Sequence, residues 1–582
     1  AGGIAQALGL TESFCRGSKI CVILGDNIFQ DELTPFAKKF HDQEKSFDKK
    51  VALLDLVDDP QKEFVCAKVN NRIRELTYEV YYDADVEFLT VRDADAIPIY
   101  ETSLRYLVAM AFKRAYPELE VRFSYNVSRS IFVQILNDSR HSDMSMVRRI
   151  EDEMQTIVAA DFPLNRMIVT KEEAKNIYED KKFTDKLELL KYRPEKTVHL
   201  YDCDGYLNYM YGRMVPSTGY LKKYKIRLYS PGIIIQYPRA EAGGDIPKFE
   251  DAPTFGKTLK ASHAWGKIAG ADSVSGINEH IKKDGVIDFI NMCETRHNRM
   301  LVELGNMIES DIDTIRLICI AGPSSSGKTT FSNRLRIELL SRGIKPIRLS
   351  IDDYYLPKSE VPKDENGDPD LESINALDIE LFNQNMLDLI SGKEVQLPRF
   401  DFKLGHRVSG RKLKVSFSQP IIIEGIHALN DMLTINIPKH QKFKIYISPQ
   451  AQINFDNHNP MSLTDLRLLR RIVRDKKYRN ASAEETMSMW PSVRKGEFTW
   501  IYNTQEGADF VFNSLLSYEL SVMKKYAMPL LNNIDTNSVY FPVAERLIRM
   551  LKYFDDMPDE WVPSNSLLRE FIGGSCYANV DV

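Results

Sequence analysis

The stretch from Leu317 to Phe331, LICIAGPSSSGKTTF, constrains this chain more than any other. A short apolar run ends at Gly322, and a loop of small residues follows. Lys328 and two threonines then open a segment in which Phe331, Leu335 and Leu339 recur four apart. Gly343 stops that periodicity, and PIRLSID, 346 to 352, supplies another apolar run. Strand, loop, helix and strand in this order predict a parallel sheet covered by helices. The loop meets the P-loop pattern as Gly322-x-x-x-x-Gly327-Lys328-Thr329. In that pattern the glycines let successive backbone N–H groups curl around phosphate oxygens. The lysine reaches the β/γ-phosphates and the hydroxyl ligates Mg²⁺. The candidate ATP-binding residues are therefore Gly322, Pro323, Ser324, Ser325, Ser326, Gly327, Lys328, Thr329 and Thr330. A chance Gly/Ser-rich turn would lack the strand before it and the helix after it. No N/T-K-x-D element for reading guanine follows, which favours ATP over GTP as donor.

Three further stretches complete the constellation. SIDDYY, 350 to 355, ends the second strand, where an acceptor hydroxyl would meet the γ-phosphate and a carboxylate could take its proton. Strand alternation lets only one of Asp352 and Asp353 face that point. PIIIEGIHAL, 420 to 429, is a continuous apolar run, as in a fully buried parallel strand. Its Glu424 can hold magnesium directly or through water, with Thr329, while His427 reads as a packed residue. In RLLRRIVRDKKYRN, 467 to 480, Arg467, Arg471 and Arg474 fall on one helix face and could clamp a moving phosphoryl group.

Length and charge bound the rest. At 582 residues the chain exceeds one core, and a prior of roughly 150 residues per domain suggests about three to five units. With 77 basic and 82 acidic residues the formal charge is −5, which gives no long-range pull on nucleic acid. No apolar stretch approaches the roughly 20 residues of a membrane-spanning helix, so no membrane partner is expected. Seven scattered cysteines without a C-x-x-C pair argue against a disulfide framework and fit a cytoplasmic location. The opening AGGIAQALGL reads neither as a signal peptide nor as a natural translation start.

Alternating positions around an Asn-Asn pair at 65 to 99 predict a small β module, and helical spacing begins at 101. An α+β unit is expected from there to about 240. Residues 238 to 275, rich in Pro, Gly and Ala, read as a connector, and helical spacing returns at 277 to 310. Lys222, Lys223, Lys225 and Arg227 read either as a phosphate patch or as an exposed strand edge.

The ordered set GPSSSGKTT, SIDDYY, FDF-x-x-x-R, IIIEG and RRIVRD resembles uridine kinases over about 315 to 530. The resemblance implies transfer of the ATP γ-phosphate to the 5′-hydroxyl of a ribonucleoside such as uridine or cytidine. Asp352 then matches the catalytic base, Lys328 the phosphate lysine, Thr329 and Glu424 the metal-side groups, and Arg471 and Arg474 the lid arginines. Tyr355 matches a residue lining the nucleoside pocket, and Glu372 stands where the family has a ribose-binding aspartate. Phe400 replaces a tyrosine, and His406 lies one place beyond a base-reading histidine.

Residues 31 to 99 resemble a TGS module, a β-grasp fold, and 100 to 240 the editing-type second domain of threonyl-tRNA synthetase, most strongly in YGRMVPSTGYLKKYKIRLYS, 211 to 230. At the metal-ligand positions of that family stand Glu101, Arg105, Met210 and Met214; neither Arg nor a thioether replaces imidazole or thiolate for zinc. Residues 1 to 30 resemble a fragment of glucose-1-phosphate thymidylyltransferase, with Asp26 at a metal-binding position.

The expected organisation is a multidomain α/β chain. It runs through the 1–30 fragment, a β-grasp module to 99, the α+β domain to 240, a connector with helices to 314, a P-loop kinase domain at 315–555 and a tail from 556. The expected partners are a nucleoside and, for the front half, an RNA or a ligand, with oligomerisation open. Two alternatives stand beside the nucleoside kinase: an RNA- or tRNA-related protein with a nucleotide switch, and a kinase of another small alcohol.

Overall fold

The computed structural model describes residues 51–136, 142–283, 285–364, 367–401, 404–450 and 453–577. The thymidylyltransferase-like stretch, Asp26 included, and the β-grasp module up to residue 50 lie outside them. The described chain divides into two units. One takes residues up to 251 together with Asn454–Pro460 and Ile534–Arg546, and the other takes the rest.

In the first unit the Asn-Asn pair turns the chain as its composition demands. Asn70 and Asn71 adopt φ of 45° and 57°, a left-handed pair that joins β1 (Phe64–Val69) to β2 (Arg72–Arg74) in a tight hairpin. β1 also pairs antiparallel with β3 (Val86–Thr90). Helix α1 (Ile97–Ala115) follows, with Pro98 in its first turn, where a missing N–H costs nothing. β4 (Val121–Val127) and β5 (Ser130–Ile135) then form a hairpin. The carboxylate of Asp143 caps α2 (Met144–Ala160) by accepting from the Met146 amide.

β6 (Asn165–Thr170), β7 (Thr197–Cys203) and β8 (Tyr206–Tyr209) make a three-stranded antiparallel sheet. β9 (Lys225–Tyr229) and β10 (Gly232–Gln236) complete a four-stranded sheet in the order β9-β10-β5-β4. The basic residues Lys225 and Arg227 thus stand exposed on an edge strand. A continuous apolar core from Leu53 to Tyr237 joins the β-grasp-like part to the α+β part. Asn454–Pro460 is built into this unit. Phe455 stacks on Tyr211 at 4.2 Å, and Asp456 lies 3.4 Å from Lys186 with both side chains almost wholly buried.

The second unit is organised by one parallel sheet. β11 (Leu317–Ala321), β12 (Ile347–Ser350), β13 (Ile421–Glu424), β14 (Lys442–Ser448) and β15 (Phe510–Asn513) lie in the order β12-β13-β11-β14-β15. All four pairings are parallel. Every residue of β11 and β13 is buried, as continuous apolar runs require. Helix α3 (Lys328–Ser341) leaves the phosphate loop, and α4 (Leu463–Arg479) carries the arginine-rich stretch.

The stretch read as a connector differs from that expectation, since Pro253–Ile268 is a helix. Proline starts it, and Phe255, Leu259, Ser262 and Gly266 belong to its buried face. Half of those four are small or polar, so the helical period is muted in the sequence. Gly285, at φ 81°, separates the two helices Val274–Lys283 and Val286–Ser310.

Candidate active site

The phosphate loop lies between β11 and α3, at the carboxyl edge of the parallel sheet. Its two glycines are required for different reasons. A Cβ on Gly322 would stand 2.0 Å from the Ile447 carbonyl oxygen, which no side chain tolerates. Gly327 has φ 91° and would drive a Cβ to 2.1 Å from Leu567. Lys328 folds back over the loop and donates to the carbonyls of Gly322 at 2.9 Å and Pro323 at 3.1 Å. Burial lowers its pKa, against the pull of Glu424, Asp352 and Glu570.

The tip of β13 brings Glu424 to the loop, where it accepts from the Thr329 hydroxyl at 3.3 Å. Burial, then the charge of Asp352, pushes the Glu424 carboxyl up to about 7, against Lys328 and Arg348. A buried carboxylate beside a hydroxyl, with the Asp352 charge acting on it, is a hard-oxygen donor set that fits Mg²⁺. Among the described residues no group of three or more His, Cys, Asp and Glu is gathered for a metal, so any ion here would take oxygens from the bound phosphates as well.

The two aspartates after β12 are separated by a 3₁₀ turn at Ile351–Tyr354 rather than by strand alternation. Asp353 accepts from the Phe400 amide at 3.1 Å and is committed to the fold. Asp352 has no such anchor and faces the charges of Lys328, Arg474 and Arg479. Desolvation raises its pKa first and Asp353 second, against the lysine. The side chain is nonetheless open to solvent.

On the acceptor side, the rings of Tyr355 and Phe400 meet at 6.0 Å and 63°, and the Tyr355 hydroxyl donates to the Leu371 carbonyl. Phe400 lies on the strand Glu394–Asp401, which pairs with His406–Lys414. Glu372 packs against Gly496, where an added Cβ would come to 2.3 Å from the Glu372 Cβ. Burial raises the Glu372 carboxyl to about 7, with Glu497 adding to the rise while Arg471 draws it down. His406 stands exposed on its hairpin, paired with Asp401, with Nδ1 3.2 Å from the Leu404 carbonyl oxygen. His427 is buried and edge-on to Trp500, and burial lowers its pKa to about 4.

The arginine helix holds the phosphate loop from the other side. Arg467 donates to the Ser324 carbonyl at 3.0 Å and is tied by both amino groups to the fully buried Glu497. Arg471 donates to the Ser324 hydroxyl at 2.9 Å. Arg474 bonds the buried Asp475 at 2.8 Å and keeps partial exposure. The single face expected for 467, 471 and 474 therefore divides: the first is anchored, and the other two lie toward the loop and cleft. Sequence reasoning missed Arg470, which is fully buried between Glu519 at 2.5 Å and the Ser325 carbonyl at 3.3 Å. It also missed Glu497. The adjacent RR and the Glu in KGEF were visible, but their pairing spans 30 to 49 residues of sequence.

The first unit gathers Glu101, Arg105, Met210 and Met214 into packing. Glu101 accepts from the Tyr237 hydroxyl at 2.9 Å, Arg105 donates to the His458 carbonyl at 2.9 Å, and both methionines are buried.

The phosphoribulokinase/uridine kinase family matches residues 317–521. A uridine kinase of Staphylococcus aureus (strain JH9) is 31% identical over 196 residues, which are 34% of this chain and 86% of that protein. A threonine–tRNA ligase of Carboxydothermus hydrogenoformans is 28% identical over 166 residues, 28% of this chain and 26% of the ligase. That match falls in the N-terminal region, and the chain spans about a quarter of the ligases it matches. A solved Bacillus stearothermophilus structure described as a possible uridine kinase aligns with 36% of this chain and all of its own, at 17% identity and a TM-score of 0.24.

Proposed function

The chain belongs to the phosphoribulokinase/uridine kinase family, and from that premise we propose that it is an ATP- and Mg²⁺-dependent kinase of the 5′-hydroxyl of a ribonucleoside. The observation that carries this reading is the division of labour after β12. Asp353 is spent on the Phe400 amide, while Asp352 stays open beside the phosphate lysine. A carboxylate so placed takes the proton of an acceptor hydroxyl as phosphoryl transfer proceeds.

ATP lies with its phosphates on 322–330, and Lys328 leaves its own loop carbonyls for the β/γ-phosphates. Thr329 and Glu424 hold the magnesium, which supplies neutralisation of charge on the phosphate oxygens. The nucleoside rests against Tyr355 and Phe400, whose faces accept a base by stacking, with Glu372 receiving the sugar hydroxyls. Arg471 and Arg474 stabilise charge on the moving phosphoryl group. Their helix, held against the loop by Arg467 and Arg470, excludes water from the phosphoryl group, so hydrolysis does not compete. The first unit serves as a binding arm without hydrolytic chemistry of its own.

The test is ADP release with a panel of nucleosides, small alcohols and RNA. Release that depends on a ribonucleoside supports the reading. Release that depends only on RNA supports a nucleotide switch instead, and release with another alcohol changes the acceptor. Asp352→Asn should reduce turnover by on the order of 10² or more while ATP still binds; retained turnover removes Asp352 as the base.

A further inference from the structure

The C-terminal segment reaches the phosphate loop, and nothing in the proposed chemistry uses it. The Glu570 carboxylate accepts from the backbone amide of Thr330 at 2.9 Å. That amide lies in the first turn of α3, where N–H groups lack partners within the helix and point at an anion. Leu567 packs directly over Gly327, close enough that no Cβ fits between them. Lys328 at the same time is turned onto its own loop carbonyls rather than outward. A side-chain anion thus stands at a phosphate-binding amide while the phosphate lysine is withdrawn.

The segment is held firmly enough to make this a built arrangement. Leu567, Leu568 and Phe571 are wholly buried. The Ser566 hydroxyl donates to buried Glu294 at 2.5 Å, and the Arg569 guanidinium donates to the carbonyls of Asp559 and Val562, each at 2.7 Å. The guanidinium of Arg470, which also grips the loop at Ser325, sits 5.0 Å from the centre of the Phe571 ring. The backbone on both sides of Glu570 is therefore fixed. Its own side chain is only half-buried and can rotate away.

We infer that Glu570 is a built-in competitor for nucleotide phosphate: its carboxylate caps the phosphate-loop helix in the empty enzyme and must leave the Thr330 amide when ATP or ADP binds. Two anions cannot share one amide donor at the end of a helix dipole. The residue therefore sets how tightly the site takes nucleotide, and it couples occupancy of the loop to the C-terminal segment. This rests on nucleotide binding at residues 322–330 and not on the identity of the acceptor.

The test compares the full chain with its Glu570→Ala and Glu570→Gln variants, measuring ADP affinity by calorimetry and melting temperature with and without ADP. Removing the competing charge should tighten ADP by roughly three- to tenfold. The empty Glu570→Ala variant should melt lower than the wild type, because the helix has lost its cap, and should gain more from ADP. Glu570→Gln keeps the size and an acceptor oxygen, so it serves if the alanine variant does not fold. Equal or weaker ADP affinity in the folded variants overturns the inference while leaving the kinase reading intact. Failure of wild type and variants alike to bind ADP or ATP overturns both.

Discussion

The phosphate loop and the Glu101–Arg105–Met210–Met214 group are two places among the described residues where motif positions fall within one unit, and they end differently. At the loop, charged groups are kept short of full satisfaction. Glu424 is pushed up to about 7 by burial and Asp352, and Asp352 stays open to solvent. At the other group the side chains are held in packing: Tyr237 donates to Glu101, Arg105 donates to a backbone carbonyl, and both thioethers are buried. Shifted carboxyls gathered beside a loop of this kind are what a catalytic role would require, whereas the second group contributes packing.

That contrast can be broken by substitution. The largest effect is expected at Glu497, which is wholly buried and holds Arg467 and Arg494. Glu497→Ala strands two guanidinium groups and should cost about 3–5 kcal/mol in denaturant unfolding. Gly327→Ala, forced into left-handed backbone and against Leu567, should lower nucleotide affinity by on the order of 10²-fold in a binding titration; near-normal affinity would mean that the loop is not the nucleotide site. Arg105→Ala should cost about 1–3 kcal/mol of stability and leave phosphoryl transfer untouched in the ADP-release assay, as befits packing. A fall in kcat with Arg105→Ala would join the two regions functionally.

The smallest effect tests the stored charge. Glu424 has its folded pKa raised from 4.5 to about 7, so the native state binds more protons than the unfolded one in that window. The stability this gives is complete below about 4.5 and is lost as pH rises through about 7. Without magnesium the melting temperature should therefore decline across that range, and Glu424→Gln should flatten the decline. Saturating Mg²⁺ should flatten it for the wild type as well.

The parallel sheet and the phosphate loop were legible because both follow from local rules: continuous apolar runs for buried strands, and glycines at fixed spacing for a curled backbone. The hairpin at Asn70 and Asn71 was legible for the same reason. What escaped depends on partners far away in sequence. Alternation predicted that only one of the two aspartates could serve, yet the structure divides them by a 3₁₀ turn and by a bond from Phe400, 47 residues on. The helix Pro253–Ile268 escaped because small residues on its buried face hide the period. Glu570 could not be found by spacing, since its amide partner lies 240 residues upstream.

The chain passes between the two units not once but repeatedly, with Asn454–Pro460 and Ile534–Arg546 counted in the first although both lie within the later half of the sequence. Neither half can therefore be excised by a single cut in the gene. Expressing residues 252 onward alone would deprive Asp456 of Lys186 and Phe455 of Tyr211.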